Sequence, residues 1–247
     1  MAVTLLTLRC LADNYAYLIH DGQRTALIDA PEAAPVLAAL AERGWRLDQI
    51  ALTHHHDDHI QAVPELVAAT GAQVIGNAQD GARLPALDLA VSPGDHFDLA
   101  GTPAKVIDVS GHTIGHIAYY LPDAGLVFTG DSLMAMGCGR LFEGRPQVMW
   151  ASLSRLNALP PDVLVCSGHD YCAGNAAFAL SIEPGNAAIT ERLKSGRPCA
   201  PATLDEERKT NPFLRVEALR GALDMADAPD AQVFARLRQM KDDFRPA

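Results

Sequence analysis

Thr53-His54-His55-His56-Asp57-Asp58-His59 follows the apolar run Gln49-Ile50-Ala51-Leu52, and this junction of a short buried strand with a run of imidazoles and carboxylates decides the fold. Four of the nine histidines fall in this one segment. Such groups stay exposed when unpaired and are costly to cluster without a counter-charge, a cost that a bound cation removes. The strand before the run and a helix expected over Val63 to Thr70 hold the ligands on a loop between rigid elements. From a locally extended backbone His54 and His56 point the same way, while Asp58 and His59 turn toward a neighbouring position. A solvated histidine-rich loop competes as an explanation of three adjacent histidines. Asp58 and His59 at their offsets, together with partners further along the chain, decide against it.

Upstream of this segment, Val3 to Leu8, Ala16 to Ile19 and Ala26 to Ile28 are short apolar runs separated by Asp-Asn and Asp-Gly turn signals, the pattern of an antiparallel meander. Pro31 to Arg43 is rich in alanine and leucine and stops at Gly44, as a helix with a C-terminal cap does. Downstream, Gln73 to Gly76 is another strand, and strands and helices alternate to about Cys166, which predicts a layered α/β domain. Three later strands repeat the arrangement of the first. Ala104 to Val109 runs into Ser110-Gly111-His112-Thr113-Ile114-Gly115-His116, Leu126 to Thr129 into Gly130-Asp131-Ser132, and Val163 to Cys166 into Ser167-Gly168-His169-Asp170-Tyr171. Glycine beside a ligand lets the backbone approach closely. Alone, His112, Asp131 or His169 reads as a hydrogen-bonded core or loop residue; their recurrence after strand ends predicts convergence on one site.

Seven side chains are enough for two adjacent cations. His54, His56 and His112 make an all-imidazole site, Asp58, His59 and His169 a second, and Asp131 offers an oxygen to each. A carboxylate bridge of this kind holds metals about 3.5–4 Å apart. Three ligands plus a bridge leave open coordination positions, which marks a catalytic site, and two dications bring the pKa of a shared water to about 7 or below. The expected chemistry is metal-assisted hydrolysis by a hydroxide between the ions, with Asp58 and Asp131 as the catalytic carboxylates that hold it. Mixed imidazole and carboxylate sites accept zinc, iron or manganese, and zinc is the expected occupant.

Composition bounds the rest. The chain has 247 residues, 49% hydrophobic and 20% charged, enough for a full core and a smaller appendage. Its net charge of −10 repels nucleic acid and anionic membranes, so neither is an expected partner, and a negatively charged ligand must meet a local basic patch. No apolar run reaches the roughly 18 residues that span a bilayer, and no basic segment precedes the first apolar residues, so a cytoplasmic location is expected. The five cysteines, Cys10, Cys138, Cys166, Cys172 and Cys199, are odd in number and include no Cys-x-x-Cys pair. They are expected to be reduced thiols.

The set His54-x-His56-x-Asp58-His59, His112, Asp131 and His169 resembles that of the metallo-β-lactamase superfamily, which implies a four-layer αββα sandwich over roughly the first two-thirds of the chain. The chain is more closely similar to the glyoxalase II family, the hydroxyacylglutathione hydrolases. That likeness rests on Thr53 to His59, Gly111 to His116, Gly130 to Ser132, Gly137-Cys138-Gly139-Arg140-Leu141-Phe142-Glu143-Gly144 and Gly168 to Tyr171. Beyond Tyr171, Asn175 to Ile182, Ala187 to Lys194, Leu204 to Thr210 and Ala231 to Gln239 read as helices, so residues 1–171 are expected to form the catalytic domain and 172–247 a small α-helical substrate-binding domain.

The resemblance implies hydrolysis of S-(2-hydroxyacyl)glutathione thioesters, S-D-lactoylglutathione to glutathione and D-lactate, the second step of methylglyoxal detoxification. It assigns Arg238 and Lys241, in Arg238-Gln239-Met240-Lys241-Asp242-Asp243-Phe244, to the glycine carboxylate of glutathione, as a carboxylate bound by an acidic protein requires. Arg140, Tyr171 and His169 match further substrate contacts, and Phe142 stands where some members have a tyrosine. Several positions stay open. Asn175 is either a water-mediated contact or a helix N-cap, Asp29 either supports a ligand or caps a helix, and His116 orients the loop of His112. His55 and Asp57 point away from the ligands, and Cys138 packs. The alternatives are another hydrolase of this fold such as a lactonase or β-lactamase, a persulfide dioxygenase with one iron, and a scaffold that has lost ligands. Against the last, none of the seven is replaced. No feature calls for a partner chain, and a monomer is expected.

Overall fold

The computed structural model describes residues 3–245, which divide into two compact units. One runs to Asp108 and resumes over Gly115–Gly130; the other comprises Val109–Ile114 and the chain from Asp131 onward.

The first unit opens with the expected meander, β1 (Thr4–Cys10), β2 (Asn14–His20) and β3 (Thr25–Ile28), paired antiparallel. β2 is buried at every residue except His20, so it lies inside a layered structure with both faces covered. Helix α1 (Ala33–Arg43) ends at Gly44 with φ of 64°, a left-handed stop that glycine adopts without penalty. It is the crossover that brings β4 (Gln49–Ala51) parallel to β3. The single turn α2 (Asp57–Ile60) and α3 (Val63–Thr70) lead to β5 (Gln73–Asn77) and β6 (Leu89–Val91), also parallel, completing a sheet of order β1-β2-β3-β4-β5-β6. Val36 and Leu40 of α1 and Val63 and Leu66 of α3 pack on Leu18, Leu27 and Ile50 of this sheet. Its other face meets an antiparallel set, β7 (His96–Leu99), β8 (Thr102–Asp108), β9 (Ile117–Leu121) and β10 (Leu126–Gly130). Tyr119 donates to the Leu52 carbonyl at 2.8 Å, and Tyr17 packs against Phe128 with ring centres 5.5 Å apart.

The parallel register pairs Ile28 with Ala51. Asp29 and Thr53 therefore leave the sheet at the same edge, outside the carboxyl ends of β3 and β4, where open α/β sheets place their ligands.

In the second unit β11 (Leu133–Met134) and β12 (Gly137–Cys138) form a short hairpin, followed by α4 (Pro146–Asn157) and β13 (Leu164–Ser167). Helices α5 (Cys172–Ile182) and α6 (Ala187–Lys194) precede β14 (Ala202–Thr203), a two-residue strand paired antiparallel to β13 that the sequence reading does not anticipate. α7 (Leu204–Thr210) begins with a capping box of Thr203 and Glu206; α8 (Val216–Leu219) and α9 (Asp230–Asp243) close the chain. Phe178, Phe213, Phe234 and Trp150 form a chain of aromatic contacts 5.8–6.3 Å apart that binds α5, α9 and α4 together. Glu207, buried, accepts from Arg192 at 2.6 Å and from the Met136 amide at 2.9 Å, which ties α6 and α7 to the turn of the β11–β12 hairpin.

The fold class expected from the sequence, α/β with helices against mixed sheets and a helical region at the C-terminal end, is the one observed. Within the second unit α9 packs on α4 through Phe234 and Trp150. Two local expectations are corrected. α5 starts at Cys172 rather than Asn175, so Asn175 caps nothing; its amide lies inside the helix and donates to the Ala135 carbonyl at 3.0 Å. The cysteines are not all thiols: Cys172 and Cys199 form a disulfide with Cα atoms 6.1 Å apart, while Cys10, Cys138 and Cys166 are free and buried. Neither motif spacing nor an even count marks this pair, since α5, α6 and the return to β14 bring it together.

Candidate metal centre

In the first unit His54 and His56 stand on the extended segment after β4 and Asp58 and His59 on the turn of α2, as the spacing predicts. His54 Nε2 lies 3.2 Å from His56 Nδ1. His59 Nε2 lies 3.8 Å from Asp58 Oδ2. His54 and His59 are fully buried. Each is turned by the hydrogen bond on its other ring nitrogen. His59 Nδ1 meets Asp29 Oδ2 at 2.9 Å, and His54 Nδ1 meets Thr53 Oγ1 at 3.0 Å. Asp29 also accepts from the Thr53 amide at 2.8 Å and its hydroxyl at 2.9 Å. It caps no helix, which closes the alternative left by the sequence.

Asn14 is a functional neighbour that sequence reasoning missed, because it reads there only as part of a turn signal. Its amide donates to both the backbone carbonyl and Oδ2 of Asp58 at 3.0 Å, fixing that carboxylate. His55 points away from the ligands, as expected, and pairs with buried Asp80 at 3.1 Å. His116 stacks on His54 at 4.5 Å, so its contact is with the ring of His54. Gly130, φ 48°, leaves no room for a side chain: a Cβ there would come within 2.5 Å of Thr53 Oγ1 and 2.8 Å of the His116 ring.

In the second unit Asp131 Oδ2 lies 3.5 Å from His112 Nε2 and 3.3 Å from His169 Nε2. His112 Nδ1 donates to the Arg140 carbonyl at 2.9 Å; a carbonyl only accepts, so Nδ1 carries a hydrogen and Nε2, turned toward Asp131, is the nitrogen left to meet a cation. A Cβ on Gly139 would sit 2.0 Å from the Asp131 carbonyl oxygen, so only glycine lets this loop close on the ligands. Tyr171 stacks on His169 at 4.7 Å and Phe142 meets the His112 ring edgewise at 5.2 Å. Phe142 and Tyr171 are both exposed, at 64% and 42%.

The same unit gathers the cations of the tail. Arg140 Nε lies 3.8 Å from Asp242, which also accepts from Arg238 at 2.8 Å. Arg238 is 5% exposed, donates to the Cys138 carbonyl at 2.9 Å and lies over Phe213, yet its buried Nε–H has no hydrogen-bond partner among the described residues. Lys241 donates to the Gly174 carbonyl at 2.7 Å. Burial, then the neighbouring Arg238 and Arg140, push its pKa down to about 8. Cys138 is the opposite case. Burial pushes its thiol up to about 11, so it stays protonated and is no nucleophile, in keeping with a packing role.

Imidazole nitrogens and carboxylate oxygens at these separations, with their outer nitrogens held, form groups suited to binding metal ions. Among the described residues no helix is long and apolar enough to cross a membrane.

The sequence profile of the metallo-β-lactamase superfamily matches residues 12–169, and that of the hydroxyacylglutathione hydrolase C-terminus matches 170–244. The hydroxyacylglutathione hydrolase of Fuscovulum blasticum is 58% identical over 255 residues, covering 99% of this chain and 100% of the relative. That of Ruegeria pomeroyi is 55% identical with the same coverage. Among solved structures, ETHE1 from Myxococcus xanthus aligns with a TM-score of 0.68 and 26% identity over 97% of both chains. TTHA1623 in a di-iron-bound form aligns with a TM-score of 0.64 and 30% identity over 85% of this chain and 100% of that one.

Proposed function

The chain belongs to the metallo-β-lactamase superfamily and within it to the hydroxyacylglutathione hydrolases, and on that basis we propose how its side chains carry out the reaction. The enzyme hydrolyses S-(2-hydroxyacyl)glutathione thioesters.

Its residues divide into ligands and substrate contacts. His54, His56 and His112 form one ligand set, Asp58, His59 and His169 a second, and Asp131 serves both, for two divalent cations, of which zinc is the first choice and iron or manganese the alternatives. The di-iron form of TTHA1623 supports a two-ion reading. Bound there, such ions supply water activation and polarisation of the thioester carbonyl. The protein's part is orientation. Asn14 holds Asp58, Asp29 holds His59, and the Arg140 carbonyl holds His112, so each ligand meets its ion without searching rotamers.

The glutathione moiety lies along the second unit in this reading. Arg238 and Lys241 offer charge to its glycine carboxylate, Arg238 with a buried Nε–H that has no partner among the described residues, and Arg140, close to the Asp242 that Arg238 engages, adds a further glutathione contact. Phe142 and Tyr171 form the exposed aromatic border beside His112 and His169. A thiolate leaves readily, so no strong acid is needed at that end. Residues 1–171 carry the chemistry and 172–247 complete the substrate site, in a cytoplasmic, monomeric enzyme.

The observation that carries the reading is Asp131 Oδ2 facing His112 Nε2 at 3.5 Å and His169 Nε2 at 3.3 Å, with the Arg140 carbonyl and the Phe142 ring of a third loop against His112. Cleavage of S-D-lactoylglutathione, followed by ultraviolet absorbance before chelation, after it and after metal is returned, tests it. Rapid cleavage abolished by chelation and restored by metal is expected; no cleavage by protein that holds two ions overturns the substrate assignment.

A further inference from the structure

We propose that Cys172 and Cys199 form a redox-active pair that exchanges with glutathione, the thiol the reaction releases, and that opening the pair weakens the hold of α5 on the substrate. The inference rests on the reading above, in which glutathione lies along the second unit.

Exchangeable sulfur is confined to this one place. Cys10, Cys138 and Cys166 are buried, and burial pushes the pKa of each thiol up, so all three stay protonated and unreactive. Cys172 and Cys199 are only partly buried and are joined to each other. Disulfides that solvent reaches are the ones thiols open, whereas structural bonds resist.

The two ends suit the exchange. Cys199 closes the run Arg192-Leu193-Lys194-Ser195-Gly196-Arg197-Pro198-Cys199, which holds three cations and no carboxylate in a chain of net charge −10. Lys194 is exposed, as is Arg197 although it pairs with Glu206. An anionic thiol is drawn there. Cys172 is the first residue of α5, a helix of 11 residues whose dipole favours a thiolate at that end. A glutathione thiolate attacks Cys199 Sγ, the S–S bond breaks, and its electron pair leaves on Cys172, which then takes a proton. Glutathione is left joined to Cys199. A second glutathione thiolate attacks the glutathione sulfur of that mixed disulfide and frees Cys199, which is protonated in turn. The pair gains two electrons and two protons, and two glutathiones become one oxidised glutathione.

What the bond holds is the start of α5. Tyr171, one residue before it, stacks on His169, and the Gly174 carbonyl in its first turn accepts from Lys241 at 2.7 Å. On the far side the Cys199 carbonyl accepts from buried Arg192 at 2.8 Å, which is locked to Glu207 at 2.6 Å. The disulfide thus ties the turn beside two substrate contacts to a buried ionic network. Accumulated thiol product loosens that turn.

Holoenzyme is equilibrated in buffers running from oxidised to reduced glutathione, and thiols are trapped by alkylation and counted by intact mass. On untrapped samples freed of glutathione, affinity for S-methylglutathione, which has no thioester to cleave, is measured by calorimetry together with metal content. The pair is expected to open in excess reduced glutathione, with affinity falling by about fivefold, the worth of one hydrogen bond, and metal content unchanged. Cys199→Ser is expected to bind like the opened wild type and to ignore the glutathione ratio; the wild-type titration carries the test if that variant does not fold. A pair that stays closed in excess reduced glutathione, an opened pair with unchanged affinity, or affinity that falls only as metal is lost overturns the proposal. Oxidised wild type that binds no S-methylglutathione overturns the glutathione reading and the proposal with it, and is recognised before any reduction.

Discussion

His54 Nε2 faces His56 Nδ1 across 3.2 Å, so two neighbouring histidines present different ring nitrogens to the same point. Asparagine ends near the position of a histidine Nδ1 and glutamine near that of Nε2. His56→Asn should therefore keep more metal than His56→Gln, and His54→Gln more than His54→Asn, each by about tenfold in retained affinity. Chelator competition on the four variants checks the crossed pattern; the same preference at both positions would contradict it.

Asp131 Oδ2 stands 3.5 Å from His112 Nε2 and 3.3 Å from His169 Nε2. Asp131→Ala is expected to lose the two-ion centre and to lower kcat by at least about 100-fold, since removal of the shared ligand affects both ions. Metal analysis and steady-state kinetics on the purified variant measure this. Full activity with two ions retained would sink the assignment.

Lys241, its pKa pushed down to about 8, is charged at neutrality and loses its charge as pH rises through about 8. If it meets the glutathione carboxylate, kcat/KM for the free enzyme falls as pH rises through about 8, while Lys241→Arg shifts that fall above pH 9. The sign for stability is opposite. The folded chain releases this proton more easily than the unfolded one, so between about 8 and the ordinary lysine value of 10.5 the unfolded state binds more protons, and stability from this group rises with pH. A pH profile of kcat/KM unchanged by Lys241→Arg would remove Lys241 from substrate binding.

Phe142 meets His112 edgewise and is largely exposed. Phe142→Tyr should restore one substrate hydrogen bond, worth about 1 kcal/mol, and lower KM by about fivefold with kcat little changed. Unchanged KM would place the ring away from glutathione.

The Cys172–Cys199 disulfide closes a loop with a sequence separation of 27. A crosslink of this span stabilises by about 3.5 kcal/mol through the unfolded chain. Cys199→Ser, or wild type kept under reductant, should unfold at visibly lower denaturant concentration than oxidised wild type. Identical midpoints with and without reductant would show that the bond contributes nothing.

The ligands were legible in the sequence because each signal is local: Thr53 to His59 is dense in donors, and His112, Asp131 and His169 follow apolar strand runs and glycines. What orients them was legible only for Asp29, and there only as one of two readings. Asn14 lies 44 residues from Asp58 and Asp29 lies 24 from Thr53, and asparagine after a turn or aspartate before a proline helix has commoner local meanings. Only the parallel register of β3 and β4 puts Asp29 beside Thr53. The tail shows the same limit. Arg238 and Lys241 read as cations, but the burial that lowers the pKa of Lys241 and the Cys138 carbonyl that engages Arg238 come from packing.

The most direct test of the central claim is a crystal structure of the holoenzyme with data collected at the absorption edges of the bound metals. The account predicts two anomalous peaks about 3.5–4 Å apart, one ligated by His54, His56 and His112, the other by Asp58, His59 and His169, with Asp131 touching both. A single peak, or peaks ligated by other side chains, would contradict it.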